Sequence, residues 1–82
     1  MARSIQIKPT PSDPDVTNRE DLAAFVRARR TQSNLRIDDA AALCGVSVET
    51  LSKIETAKAG VTVDSLFKVL SGLGIQLQVK QW

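Results

Sequence analysis

The chain has 82 residues, with 11 Lys and Arg against 9 Asp and Glu for a formal net charge of +2, one cysteine and no histidine. A chain of that length makes one small domain with a marginal core, the cysteine count excludes an internal disulfide, and the missing histidines leave no zinc-ligand set. With neither disulfide nor zinc to help, oligomerisation is the expected source of extra stability, and a pI near 9.0 fits nucleic-acid binding and an ordinary soluble domain alike.

The amino-terminal stretch Met1 to Lys8 lacks the apolar run of a signal peptide, and no stretch is long enough to span a bilayer, so no membrane association and a cytoplasmic location are expected. Within it, Ser4-Ile5-Gln6-Ile7-Lys8 alternates polar and apolar residues. That pattern is a short strand signal, and equally a tail that contains two isoleucines; both readings stand. Pro9, Pro11 and Pro14 then make a linker that can be neither helix nor central strand, so residues 1–16 form an arm and linker.

A first helix is predicted from Thr17 or Asn18, where Thr17-Asn18-Arg19-Glu20 has capping-box spacing. Leu22, Phe25 and Val26, with Ala23, give its buried stripe. Arg27, Arg29 and Arg30 close it, as a solvated last turn, with one or two of them on phosphate, or both at once. After the polar connection Thr31 to Asn34, Leu35 turns back to the core, and a second helix is predicted over about Arg36 to Cys44. Asp38 and Asp39 suit its first turn, while Ala40, Ala41, Leu43 and Cys44 let another helix approach. Cys44, between Leu43 and Gly45, reads as a small buried hydrophobe rather than a reactive thiol.

The rest of the chain is organised around Gly45 to Glu55. Gly45 can adopt the left-handed conformation that ends a helix, and Ser47 can cap the next. Leu51 and Ile54 share a side that must be buried, whereas Val48, Glu49, Ser52 and Lys53 fall on the other. A short turn that delivers a helix with one buried seam and one small mixed face is what the second helix of a DNA-reading helix-turn-helix requires. Thr56 to Gly60 is a small-residue loop. Thr62 caps a last helix with the stripe Val63, Leu66, Val69, Leu70 and Leu73, and Gly72 and Gly74 loosen and end it. Residues 17–74 are thus the expected DNA-binding domain, followed by a carboxy-terminal strand and tail over 75–82. There Ile75, Leu77 and Val79 occupy one face of an alternating run. A lone strand needs a partner: the Ile5 segment, a second copy or another protein. Trp82, the only tryptophan, is a candidate anchor for a partner.

Ala41, Gly45-Val46-Ser47, Ser52-Lys53-Ile54-Glu55 and Leu73-Gly74 occur in the order and spacing of the lambda-repressor-like, or XRE, helix-turn-helix family, which residues 18–75 resemble. Phe25-Val26-Arg27-Ala28-Arg29-Arg30 and the single alternating strand after the last helix make the chain most similar to HipB-type antitoxins. Those are dimeric autorepressors encoded beside a toxin, often a HipA-like serine/threonine kinase.

The resemblance implies an all-α fold, a lambda-repressor-like helix-turn-helix bundle of four to five helices whose carboxy-terminal β-strand pairs across a homodimer through Ile75, Leu77 and Val79. It implies DNA contact through Arg36, Ser47, Val48, Glu49, Thr50, Ser52, Lys53 and Lys58, on a palindromic operator in double-stranded DNA. Lys53 suits guanine, Glu49 the cytosine amino group, and Val48 or Thr50 a thymine methyl; Ser47, Arg36 and Lys58 suit phosphate. It also implies an Arg30–Glu55 ion pair between the first helix and the reading helix. Arg36-Ile37 departs from the family, which usually has Ser or Thr and then Gln there, so the second helix lacks its usual cap. The function expected is a repressor that serves as antitoxin and autorepressor of a HipBA-like pair. The alternatives are a free-standing regulator, or a protein-interaction module working through the tail and Trp82. Catalysis is not expected, nor a cofactor or metal: the chain has no histidine, no tyrosine and no phosphate-cradling glycine loop, and Asp38 and Asp39 diverge around a helix.

Overall fold

The computed structural model describes residues 5–82 and contains four helices: α1 (Arg19–Gln32), α2 (Ile37–Cys44), α3 (Val48–Glu55) and α4 (Val63–Leu73). Three start at side-chain caps. Asn18 accepts from the Asp21 amide, Ser47 from that of Thr50 and Thr62 from that of Ser65. The first of these differs from the expected Thr17/Glu20 box. Asn18 takes the cap, and the Asp21 carboxylate reaches back to the amide and hydroxyl of Thr17, each at 3.1 Å. α2 begins at Arg36 with no side-chain cap, as the departure at Arg36-Ile37 led us to expect.

All four helices stop in the same way. A left-handed residue (Asn34, Gly45, Ala57 or Gly74) turns the chain. The following amide then bonds back five residues: Leu35 to Arg30, Val46 to Ala41, Lys58 to Lys53 and Ile75 to Leu70. This 6→1 bond satisfies a terminal carbonyl and throws the next apolar residue back onto the bundle. Leu35, Val46 and Ile75 accordingly pack against the core.

The core is Val26, Ala40, Ala41, Cys44, Leu51, Ile54, Val69, Leu70 and Leu73. α2 lies on α4, and α1 on α3. Gly72 does not loosen α4: it admits α2, since a Cβ there would stand 2.5 Å from Cys44 Sγ and 3.0 Å from its Cα. Cys44 is buried, and desolvation pushes its thiol pKa above the ordinary value. Leu43 and Val63 were expected in the core but are 60% and 66% exposed. At 100° per residue, Leu43 lies about 100° round α2 from the centre of the Ala40-Ala41-Cys44 face, and Val63 about 70° off the centre of the α4 stripe.

The expected carboxy-terminal β-strand is not formed; among the described residues there are no strands. Alternation becomes a ladder only where another backbone offers partners, and no segment among the described residues pairs with residues 75–82. Ile75 is half-buried, Leu77 and Val79 are exposed, and Trp82 is fully exposed. The tail meets the linker through Lys80 Nζ and Asp15 Oδ1 at 3.2 Å. The amino-terminal strand reading likewise finds no ladder over Ile5 to Lys8, and Ser4 lies outside the described residues. No helix among the described residues is long and apolar enough to cross a membrane.

Candidate nucleic-acid interface

The turn between α2 and α3 is three residues long, Gly45-Val46-Ser47, and each has its own task. Gly45 sits at φ 75°, where a side chain would be strained. Val46 is held to the core, and Ser47 bonds the Thr50 amide at 3.0 Å while donating its hydroxyl to Thr50 Oγ1 at 2.9 Å. α3 then splits by side. Leu51, Ile54 and Glu55 are 0%, 7% and 4% exposed, while Ser47, Val48 and Glu49 are exposed and Thr50, Ser52 and Lys53 half-buried. Glu49 Oε1 and Lys53 Nζ, one turn apart, lie 3.6 Å from each other. An exposed pair of this kind is worth about 0.3–0.5 kcal/mol, so either partner can leave it at little cost.

What fixes that surface is the base of α3. Arg30 on α1 grips the Glu55 carboxylate with two parallel bonds, Nη2 to Oε1 at 2.8 Å and Nε to Oε2. The two side chains are 14% and 5% exposed, and the Arg30–Glu55 pair implied by the resemblance is therefore present and mostly dry. Arg30 Nη1 also donates to the Leu35 carbonyl at 2.9 Å, and Arg27 Nη1 to the Glu55 carbonyl at 2.7 Å. Arg29 Nε donates to the Leu73 carbonyl at 2.8 Å, where α4 ends. These arginines are more than a solvated last turn. Arg27 and Arg29 satisfy carbonyls at the negative ends of α3 and α4, positions where a cation is favoured by the helix dipole, while Arg30 holds the Glu55 carboxylate and the Leu35 carbonyl. Nothing in the spacing of 27, 29 and 30 reveals this, because every partner except the Leu35 carbonyl lies 25 to 44 residues away.

The remaining predicted positions flank α3. Arg36, exposed, is the residue from which α2 starts, with Asp38 Oδ1 3.9 Å from its Nε. Lys58, also exposed, is held at the other end, where its amide closes the last turn of α3 on the Lys53 carbonyl at 2.9 Å. The eight predicted positions thus lie at the start of α2, on α3 with its cap, and just past the end of α3, and each is exposed or half-buried. Among the described residues no cluster of His, Cys, Asp and Glu is placed to hold a metal.

Comparison with known proteins agrees with this geometry. A family model described as Helix-turn-helix matches residues 26–80, from within α1 to the tail. The chain belongs to the helix-turn-helix family, XRE type. An uncharacterized helix-turn-helix-type transcriptional regulator of Sinorhizobium fredii, y4mF, is 30% identical over 59 residues, covering 72% of this chain and 78% of that one. Among solved structures, a chain of a HipA–HipB–O2–O3 complex superposes with a TM-score of 0.75 at 20% identity, over 84% of this chain and 97% of that chain. A HTH_3 family transcriptional regulator from Vibrio cholerae matches with a TM-score of 0.63 at 31% identity, over 71% of this chain but 33% of that one. The likeness to the complex chain supports the helix-turn-helix fold, in which α2 and α3 are the paired helices.

Proposed function

We propose that this helix-turn-helix protein is a sequence-specific repressor that acts as a homodimer on a palindromic operator and is the antitoxin and autorepressor of a toxin–antitoxin pair. The observation that carries the DNA-binding part is the exposed face of α3, clamped from behind by Arg30 and Glu55 and flanked by Arg36 and Lys58. Lys53 donates to guanine O6 and N7, Glu49 accepts from the cytosine amino group, and Val48 or Thr50 meets a thymine methyl. Ser52 lies within the reading face. Ser47, Arg36 and Lys58 hold phosphates and supply affinity rather than sequence preference.

With so few strong donors on the face, one half-site binds weakly, and two copies about 34 Å apart are needed. Ile75, Leu77 and Val79 contribute to the contact between copies, as a tail surface that only a second chain would cover. The antitoxin role is supported by the likeness to a chain solved in a complex with HipA. On that reading the toxin is a HipA-like kinase, and the fully exposed Trp82 is the residue offered to it. The Vibrio cholerae match favours a second reading, a free-standing regulator with no toxin.

Two measurements test these parts separately. Lys53→Ala is expected to weaken binding to a selected duplex by about 1–3 kcal/mol and to relax one base preference. Unchanged affinity and selectivity would overturn the orientation assigned to α3. Co-purification with the product of the neighbouring gene, lost on Trp82→Ala, is expected for the antitoxin; a chain that repeatedly purifies alone beside its co-expressed neighbour would favour the free-standing regulator.

A further inference from the structure

The amino-terminal arm is not loose over residues 8–10. The Lys8 amide donates to Thr31 Oγ1 at 2.9 Å, and Gln32 Nε2 donates to the Lys8 carbonyl at 2.9 Å and to Thr10 Oγ1 at 3.0 Å. Thr31 is 4% exposed and is itself bonded to the Arg27 carbonyl, so the arm is docked on the last turn of α1 through a buried hydroxyl. Docked there, it forms one wall of an open groove whose other walls are the end of α1 and the start of α2.

The groove is strongly cationic. Lys8, Arg27, Arg30 and Arg36 border it, against a single carboxylate, Asp38. Arg30 is neutralised by Glu55, and Arg27 is tied to a carbonyl, which leaves its charge uncompensated. Arg36 and Asp38 are held only at 3.9 Å with both side chains more than half exposed, so their mutual compensation is slight. Lys8 has no ion pair among the described residues, and its side chain is free to follow a ligand.

We infer that Lys8 is a DNA phosphate contact: the docked arm extends the backbone track from Arg36, at the start of α2, along this groove. The inference rests on the DNA-binding reading above. It adds an element to the footprint that the reading helix does not supply. Gln32 and Thr31 are positioning residues, which hold the arm so that Lys8 and Arg36 border the same groove. Phosphate contacts release counterions, so each one contributes about 0.9 to the slope of log affinity against log salt. A residue that only supports the fold changes affinity without changing that slope.

The experiment is fluorescence anisotropy on the full chain over a series of salt concentrations. It uses a duplex selected from a random pool and an arbitrary 20-base-pair duplex. For Lys8→Ala and Lys8→Gln, the slope is expected to fall by about 0.9 per bound copy on both duplexes, with circular dichroism unchanged. Lys80→Ala, an exposed lysine paired to Asp15 and not bordering the groove, is expected to keep the wild-type slope. A wild-type slope for both Lys8 variants, with DNA binding intact, overturns this inference alone. Salt-insensitive or absent DNA binding by the wild-type chain overturns the DNA-binding reading together with it.

Discussion

Replacing Glu55 by alanine should be among the costliest single changes to a charged residue in this chain. The carboxylate is 5% exposed, and both of its oxygens are engaged by Arg30, whose side chain is 14% exposed. Removing one partner of such a pair leaves a guanidinium with only the Leu35 carbonyl for company. Breaking a buried pair costs about 3–5 kcal/mol; the residual exposure of Arg30 and its carbonyl bond hold the expected loss near 3 kcal/mol. For a domain of this size each kcal/mol moves the melting temperature by about 4–8 °C, so Glu55→Ala should melt about 12–24 °C below wild type.

Thermal melts followed by circular dichroism, with urea titrations alongside, read this directly. Arg30→Met combined with Glu55→Leu should recover much of the loss, because neither charge then remains buried. The recovered double variant keeps α3 but loses the clamp that orients it, so its DNA affinity should stay below wild type. A melting temperature for Glu55→Ala within about 4 °C of wild type would refute the view that this pair secures α3 to α1.

Two further substitutions test the packing behind the reading face. Gly72→Ala places a methyl 2.5 Å from Cys44 Sγ, so α2 must move off α4; urea unfolding should show a loss of about 1–3 kcal/mol, relieved only in part when Cys44 is also made alanine, because its Cα stays 3.0 Å from the new methyl. Ala57 holds φ 57° at the end of α3, a conformation costly for any residue with a Cβ. Ala57→Gly should therefore leave stability unchanged or raise it by up to about 1 kcal/mol in the same titration, and a clear loss would show that the Ala57 methyl has a packing role.

Much of the reading helix is visible in the residues themselves. Gly45, Ser47, Leu51 and Ile54 act within a few positions of one another, so the turn, the cap and the buried seam are local patterns that spacing reveals. The same is true of the Thr62 cap and most of the α4 stripe. What stayed hidden depends on distant partners. The Arg27 and Arg29 bonds to Glu55 and Leu73 join carbonyls at the far ends of other helices, and no periodicity encodes them.

The carboxy-terminal alternation over Ile75 to Val79 describes a strand only if another backbone pairs with it, and none among the described residues does. Leu43 and Val63 show a subtler limit. Apolar identity suggested burial, but their angular positions on α2 and α4 leave both side chains facing outward. The arm is the converse case. Its proline-rich composition reads as a mere linker, yet two side chains at the end of α1, Thr31 and Gln32, hold it in place.

The account depends on one face of α3 lying against a duplex. Amide chemical-shift mapping of the full chain on titration with a selected duplex tests this most directly. The largest shifts should fall on Arg36 and Ile37, on Ser47 to Lys53 and on Lys58, with the α4 core at Val69 and Leu70 nearly unmoved. Shifts concentrated instead on α4 and the tail, with Val48, Glu49, Ser52 and Lys53 unaffected by saturating DNA, would contradict it.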